Sequence, residues 1–251
     1  MRIFSFLCLL PWIAACSGSD DAPETFDTGD SSLLDSTPSG DTSSPDDTSS
    51  SGAPTDVTGE ATTYTVSVWA DNWSSMYIDG TLVMEDSVPI TTERSFNEEV
   101  FVVTATPPFQ VAVELKDFKE TDSGLEYIGE PNQQMGDGGY IAQFMAADGT
   151  VALVSDSTWR CMVTHEAPLN KECESSSDPD ADCLFETTET PENWTEPDFD
   201  DSSWTMASTY TEAEVSPKEG FDRVDWAPSA ELIWGDDLES VNTLLCRVTV
   251  E

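Results

Sequence analysis

Four short stretches carry residue types that could do chemistry. Residues 199–207 read FDDSSWTMA, with Asp200 and Asp201 side by side. Residues 178–182 read DPDAD, which sets Asp178, Asp180 and Asp182 at alternate positions. Asp71, Asn72 and Trp73 follow one another in a polar turn, and His165 is the one histidine of the chain. A glycosidase pair needs carboxyls about 5–9 Å apart around a bound sugar. Neighbours in an extended chain point to opposite faces, so Asp200 and Asp201 do not form such a pair. Short acidic and hydroxyl side chains instead hydrogen-bond nearby backbone N–H groups and close turns, the role expected for Asp200, Asp201 and Ser202. The Asp-x-Asp-x-Asp spacing matches the first half of a calcium loop, but Cys183 stands where that loop needs its glycine, so 178–182 is a weak metal candidate. Asp71, Asn72 and Trp73 are the better ligand candidate: an exposed indole can stack on the apolar face of a sugar ring while neighbouring polar groups take its hydroxyls. His165 has no Gly-x-Ser-x-Gly elbow to serve and is expected in a loop. No phosphate-cradling loop or zinc motif is present, and no catalytic set emerges; the chain does not read as an enzyme.

Charge narrows the partners. The chain has 50 acidic against 9 basic residues, and from residue 62 onward 39 against 8. Nucleic acid is excluded as a partner, because phosphate binding needs cations. Two explanations of the acidity stand side by side: solubility in a demanding exterior, and binding of divalent cations, Ca²⁺ foremost, by some of the carboxylates. Of six cysteines, Cys8 lies in the apolar N-terminal run and Cys16 ends it. The other four predict two disulfides: Cys173 with Cys183 across a polar loop, and Cys161 with Cys246, each in a strand-like run.

The elements that must position these groups are strands. TYTVSVWA alternates Tyr64, Val66 and Val68 against Thr65, Ser67 and Trp69. Asp79-Gly80 and Asp148-Gly149 mark hairpins between apolar runs. Short strands separated by Gly, Asp, Asn and Pro turns, with no sustained helical period, predict an all-β fold, an antiparallel sandwich over residues 62–251.

The order of motifs carries a resemblance. ADNWSSMYIDGTLV, FQVAVELKDF, GGYIAQFMAADGTVALVSDSTWRC, PDFDDSSWTMASTY and SAELIWGDD with NTLLCRVTV follow in sequence. Together they resemble the galactose-binding-like jelly-roll domain of many glycoside hydrolases, as in the sugar-binding modules of rhamnosidases and β-galactosidases. The resemblance covers nearly all of residues 64–250 and departs from the family at the long acidic loop from His165 to Asn193. It implies a non-catalytic, carbohydrate-binding sandwich in which Phe199 and Trp204 are core anchors around the Asp200–Ser202 turn. Trp159 and Trp234 are also expected in the core, while Trp194 and Trp226 stay undecided between core and surface.

The N-terminus supplies an address. Arg2 precedes an apolar run too short to span a bilayer, and the run ends in Ile13-Ala14-Ala15-Cys16, which resembles a bacterial lipobox. Residues 1–15 are therefore expected to be a signal peptide, and Cys16 the acylated residue that holds the chain to a lipid bilayer. Residues 16–61, rich in Ser, Thr, Asp, Gly and Pro, are expected to be a disordered acidic tether with a reach of about 35–40 Å. The sum is a lipid-anchored protein of the cell envelope, at the outer membrane or cell surface, that binds a glycan. The alternative is a structural or adhesive module that contacts a surface protein, with calcium between acidic faces.

Overall fold

The computed structural model describes residues 59–91 and 95–251. The expected signal peptide 1–15, the expected acylation site Cys16 and all but residues 59–61 of the expected tether lie outside the described residues. Along the chain the strands are β1 (Thr62–Asp71), β2 (Trp73–Ile78), β3 (Thr81–Glu85), β4 (Glu98–Ala105), β5 (Phe109–Lys116), β6 (Leu125–Glu126), β7 (Gln134–Met135), β8 (Gly139–Ala146), β9 (Val151–Val154) and β10 (Arg160–Glu166). A one-turn helix α1 (Pro179–Asp182) precedes β11 (Glu186–Thr187), β12 (Thr205–Met206) and β13 (Ser208–Tyr210). A second short helix, α2 (Glu212–Val215), leads to β14 (Leu232–Trp234) and β15 (Val241–Val250).

Apart from β6 and β7, which pair with each other, these strands make two antiparallel sheets packed as a sandwich, in an order consistent with a jelly roll. One sheet runs β13-β14-β8-β1-β4, with β9 also on β8; the other runs β11-β10-β15-β5-β2-β3, with β12 on β10. The alternation read in β1 sets its faces. Tyr64, Val66, Val68 and Ala70 point into the interior with Val111, Val113 and Leu115 of β5 and Tyr140, Ala142 and Phe144 of β8. Each large side chain buried there contributes about 1.5–3 kcal/mol. Trp159 and Trp234 join this core and Trp204 is buried beside it, as expected.

Trp69 points the other way yet is fully buried, because the chain around α2 folds over that outer face. Val215, Phe221 and Leu232 pack on it with Ile141, and the Trp69 indole donates to the Glu219 carbonyl at 3.1 Å. Both hairpins form where Asp-Gly pairs stand. Asp79 and Gly80 take φ of 45° and 76° between β2 and β3, a pair of left-handed residues that suits the strand twist. Both disulfides form as paired from the sequence. Cys161 and Cys246 lie directly opposite one another on β10 and β15 with Cα atoms 4.1 Å apart, so that bridge joins neighbouring strands of one sheet. Cys173–Cys183 packs with Leu125 on the loop from residue 118 to 138.

The turn 199–207 is scaffold, and its partner is a buried arginine. Asp200 Oδ1 accepts from the Ser202 N–H at 3.0 Å, and the Phe199 and Trp204 rings meet edge to face at 5.5 Å. Asp201 reaches further than a turn residue needs to: its Oδ2 accepts from Arg247 Nε at 2.9 Å. Arg247 is 1% exposed on β15 and also donates to the carbonyls of Trp194, Glu196 and Phe199. One guanidinium thus gathers the loop from residue 194 to 201 onto the sheet, using its planar fork of donors.

Candidate functional site

Three carboxylates meet at one end of the sandwich, each placed by the end of a strand. Asp71 closes β1, Asp117 follows β5, and Asp137 stands just before β8. At Asp71-Asn72, a cis peptide, the chain leaves one sheet for the other; the Asn72 N–H then donates to the Lys116 carbonyl at 2.8 Å, and its Oδ1 accepts from the Phe118 N–H at 2.5 Å. The Asp117 N–H donates to the Asn242 carbonyl at 2.9 Å. Glycine lets the Asp137 segment close in: a Cβ at Gly136 would sit 1.7 Å from Asp117 Oδ2, and one at Gly138 would strike the Trp234 ring at 2.3 Å. Among the described residues, Asp71, Asp117 and Asp137 are the one group of three or more His, Cys, Asp or Glu whose ligand atoms all lie within 4.8 Å of one another.

Lys218 leans into this group from the segment that covers Trp69. Its Nζ lies 3.1 Å from Asp71 Oδ2 and 2.6 Å from Asp137 Oδ2, and it stands over the Phe96 ring at 4.6 Å. Asp71 Oδ1 and both oxygens of Asp117 are buried, with no hydrogen-bond partner among the described residues. The electrostatics follow. Burial first, and then the charge of Asp137, push Asp71 up to about 8 in spite of Lys218. Burial and the neighbouring Asp71, Glu126 and Asp137 push Asp117 well above the usual carboxylate range. Burial works against the Lys218 ammonium, but the charges of Asp71 and Asp137 and its hydrogen bonds to them outweigh it and raise its pKa.

Above the carboxylates opens a pocket of about 280 Å³ lined by Phe96, Glu126, Tyr127, Gln134, Asp137 and Lys218. Gln134 Nε2 donates to Glu126 Oε2 at 3.1 Å. The pocket wall is braced from outside: Gln133 Nε2 donates to the Glu174 and Ser176 carbonyls at 2.5 and 2.9 Å, tying it to the loop closed by Cys173–Cys183.

The structure redistributes the residues singled out in the sequence. Asp71 belongs to the site, Asn72 frames it, and Trp73 is withdrawn from it. Trp73 lies in β2, 8% exposed, with Lys116 Nζ 4.4 Å from its ring centroid, so its indole is not a platform for a sugar. The polar residues around it suggest a turn, but Asp71 ends β1, Asn72 makes the crossing, Ser74 and Ser75 belong to β2, and all four are buried. Asp178, Asp180 and Asp182 do not converge on a metal position: all three are exposed at α1, and Asp182 Oδ2 accepts from Ser176 Oγ at 2.5 Å. His165 is not a loop residue but a buried one on β10, its Nδ1 2.9 Å from Asn242 Oδ1 and its ring stacked on Phe185. Trp194 and Trp226 are half-buried, the first edge to face with Tyr77, the second on the outer-face cluster.

Sequence reasoning missed Asp117, Asp137 and Lys218. For the two aspartates the available signal was position, Asp117 just after one apolar strand and Asp137 just before another; Lys218 carries no such signal, and nothing in the local spacing joins the three. Comparison with protein-family models, curated proteins and solved structures finds no match to this chain.

Proposed function

We propose that this protein is a non-catalytic binding module for a carbohydrate, carried on the cell envelope by a lipid at Cys16. The observation that carries the reading is the pocket over Asp137 and Lys218. Two aromatic rings, Phe96 and Tyr127, stand beside carboxylates, an amide and an ammonium in a cavity of about 280 Å³. That combination suits a polyhydroxylated ring: apolar C–H faces rest on aromatic carbons, and hydroxyls exchange hydrogen bonds with charged and amide groups. The resemblance of the strand motifs to galactose-binding-like modules points the same way, at the level of fold, which by itself does not fix a ligand. Glu126 and Gln134 stand on β6 and β7, and the wall they form is tied to the disulfide-closed loop, so little ordering of that wall is left for the ligand to impose.

The test is a glycan array probed with the detergent-solubilised full chain and with Phe96→Ala and Tyr127→Ala variants. Binding that weakens by about tenfold in either variant supports the reading. A blank array, or glycan binding that neither substitution changes, sinks it.

A second reading rests on a different surface. Val100 and Val102 are 57% and 65% exposed on β4, an edge strand of its sheet. An apolar edge of this kind favours a structural or adhesive module that docks a surface protein along β4. Val102→Lys would then abolish cell-surface adhesion and leave any glycan binding intact.

A further inference from the structure

We propose that Asp71, Asp117 and Asp137 form a binding site for one divalent cation of calcium's size, with Lys218 as a tethered rival for it. The separation of the donors is the first support. Their ligand oxygens all lie within 4.8 Å of one another. Two oxygens that share one calcium at 2.3–2.6 Å lie at most about 5 Å apart. Every donor is a carboxylate oxygen, a set that takes calcium or magnesium in preference to zinc or copper.

The second support is independent of acidity. Asp71 is 0% exposed and Asp117 2%, and three of their four oxygens have no hydrogen-bond donor among the described residues. Buried carboxylate oxygens are ordinarily satisfied by N–H groups, water or a metal. One oxygen from each of these two residues and one from Asp137 lie within 4.8 Å of one another, so a single positive centre there would serve all three side chains.

Lys218 answers only part of this demand. Its ammonium contacts Asp71 Oδ2 and Asp137 Oδ2. It is one ammonium among three acidic side chains, and its side chain is 33% exposed, so it can swing toward solvent without unpacking the core. Asp137 and Lys218 also line the open pocket, which gives an ion a way in. The internal lysine and the external ion therefore compete for the same oxygens. The inference does not depend on what the pocket above binds, because its test contains no sugar.

The experiment is calorimetric titration of the chelator-stripped full chain with CaCl₂ alone, and separately with MgCl₂ alone, alongside thermal melts. One calcium per chain is expected to bind saturably and raise the melting temperature. Asp117→Asn should weaken that binding by at least about tenfold through loss of a ligand charge, and Lys218→Met should tighten it by about tenfold through loss of the rival. In chelator, Asp117→Asn should melt no lower than the parent chain, because it relieves the crowding of three acidic groups around one ammonium. Should Asp117→Asn fail to fold, the half-exposed Asp137→Asn makes the same test. Absence of a calcium signal in both the parent chain and Lys218→Met overturns the site, as does equal calcium binding in the parent and the Asp variants. Unchanged affinity in Lys218→Met overturns the rivalry.

Discussion

Arg247→Met is the sharpest test of how the FDDSSW turn is held. The substitution keeps the length and apolar bulk of the side chain but removes every donor. Four acceptors then lose their partner: Asp201 Oδ2 at 2.9 Å and the carbonyls of Trp194, Glu196 and Phe199. Removing one member of a buried ion pair costs about 3–5 kcal/mol, mostly the penalty for the charge left behind. Here that charge is milder than the general case, because the Asp201 side chain is 24% exposed and Arg160 Nε stands 3.9 Å from its other oxygen. The carbonyls add about 1 kcal/mol each where water cannot replace the donor. The expected net loss is about 3–4 kcal/mol, or roughly 10 °C in Tm for a domain of this size. Asp201→Asn keeps an acceptor for Arg247 and should cost only about 1–2 kcal/mol. Urea melts of the two single variants and the double variant give the coupling, expected above about 1 kcal/mol, and proteolysis should open the chain near residues 194–203 in Arg247→Met first. A loss below about 1 kcal/mol in Arg247→Met, with the loop still protected, would refute the claim that this guanidinium holds the turn.

Other perturbations read other parts of the structure. Asp86 is 8% exposed, and burial, seconded by Glu99, pushes its carboxyl from 3.8 up to about 6. A group that holds its proton more tightly when folded stabilises most below its unfolded pKa and loses that contribution as pH rises through the folded one. Asp86 should therefore cost stability between about pH 4 and 7, by at most about 3 kcal/mol. Asp86→Asn should flatten that part of the pH–stability curve in urea melts, and identical profiles would contradict the assignment. Trp73→Ala should cost about 3–5 kcal/mol, the penalty for an emptied core site, while glycan or calcium binding persists in the fraction that remains folded. Removing the bridge with Cys173→Ser and Cys183→Ser should cost about 2.7 kcal/mol on loop-closure grounds and raise amide exchange in residues 125–135, which pack against it. Unchanged exchange there would show that the pocket wall needs no brace.

The fold was legible because its signals are local. Tyr64, Val66 and Val68 alternate within one strand, Asp79-Gly80 and Asp148-Gly149 sit inside their own hairpins, and each requires only neighbours in sequence. The disulfides were legible for a similar reason, since four cysteines allow few pairings and a polar loop separates two of them. Trp73 and His165 misled because each sits among polar residues that the fold buries. Asn72, Ser74 and Ser75 are 1–2% exposed beside the indole, and Asn242 takes His165 Nδ1 in the interior. Polarity marks a surface only when the backbone or a partner does not claim the polar groups, and pairing across the sheets decides that.

The carboxylate site marks the boundary between local and global information, and topology explains why. Asp71 ends β1, and β2 starts two residues later, so the start of β2 and the end of β1 share one edge of the sandwich. Because β2 and β5 are antiparallel, Trp73 at the start of one faces Lys116 at the end of the other, and Asp117 must arrive at that edge. Because β1 and β8 are antiparallel, Asp71 faces Gly139 at the start of β8, which brings Asp137 in from the opposite chain direction. Three strand-end aspartates converge as a consequence of two antiparallel pairings, with no motif needed to announce them. Lys218 arrives by a separate route: Trp69 points outward from the same strand, the segment that covers it must cross near the end of β1, and its lysine is then within reach of Asp71. The odd tryptophan in an otherwise polar outward row was thus the one sequence signal that something packs there. A cover over Trp69 is also a cover over the site, so weakening it with Val215→Ala should loosen Lys218 from Asp71 before it disturbs the core strands.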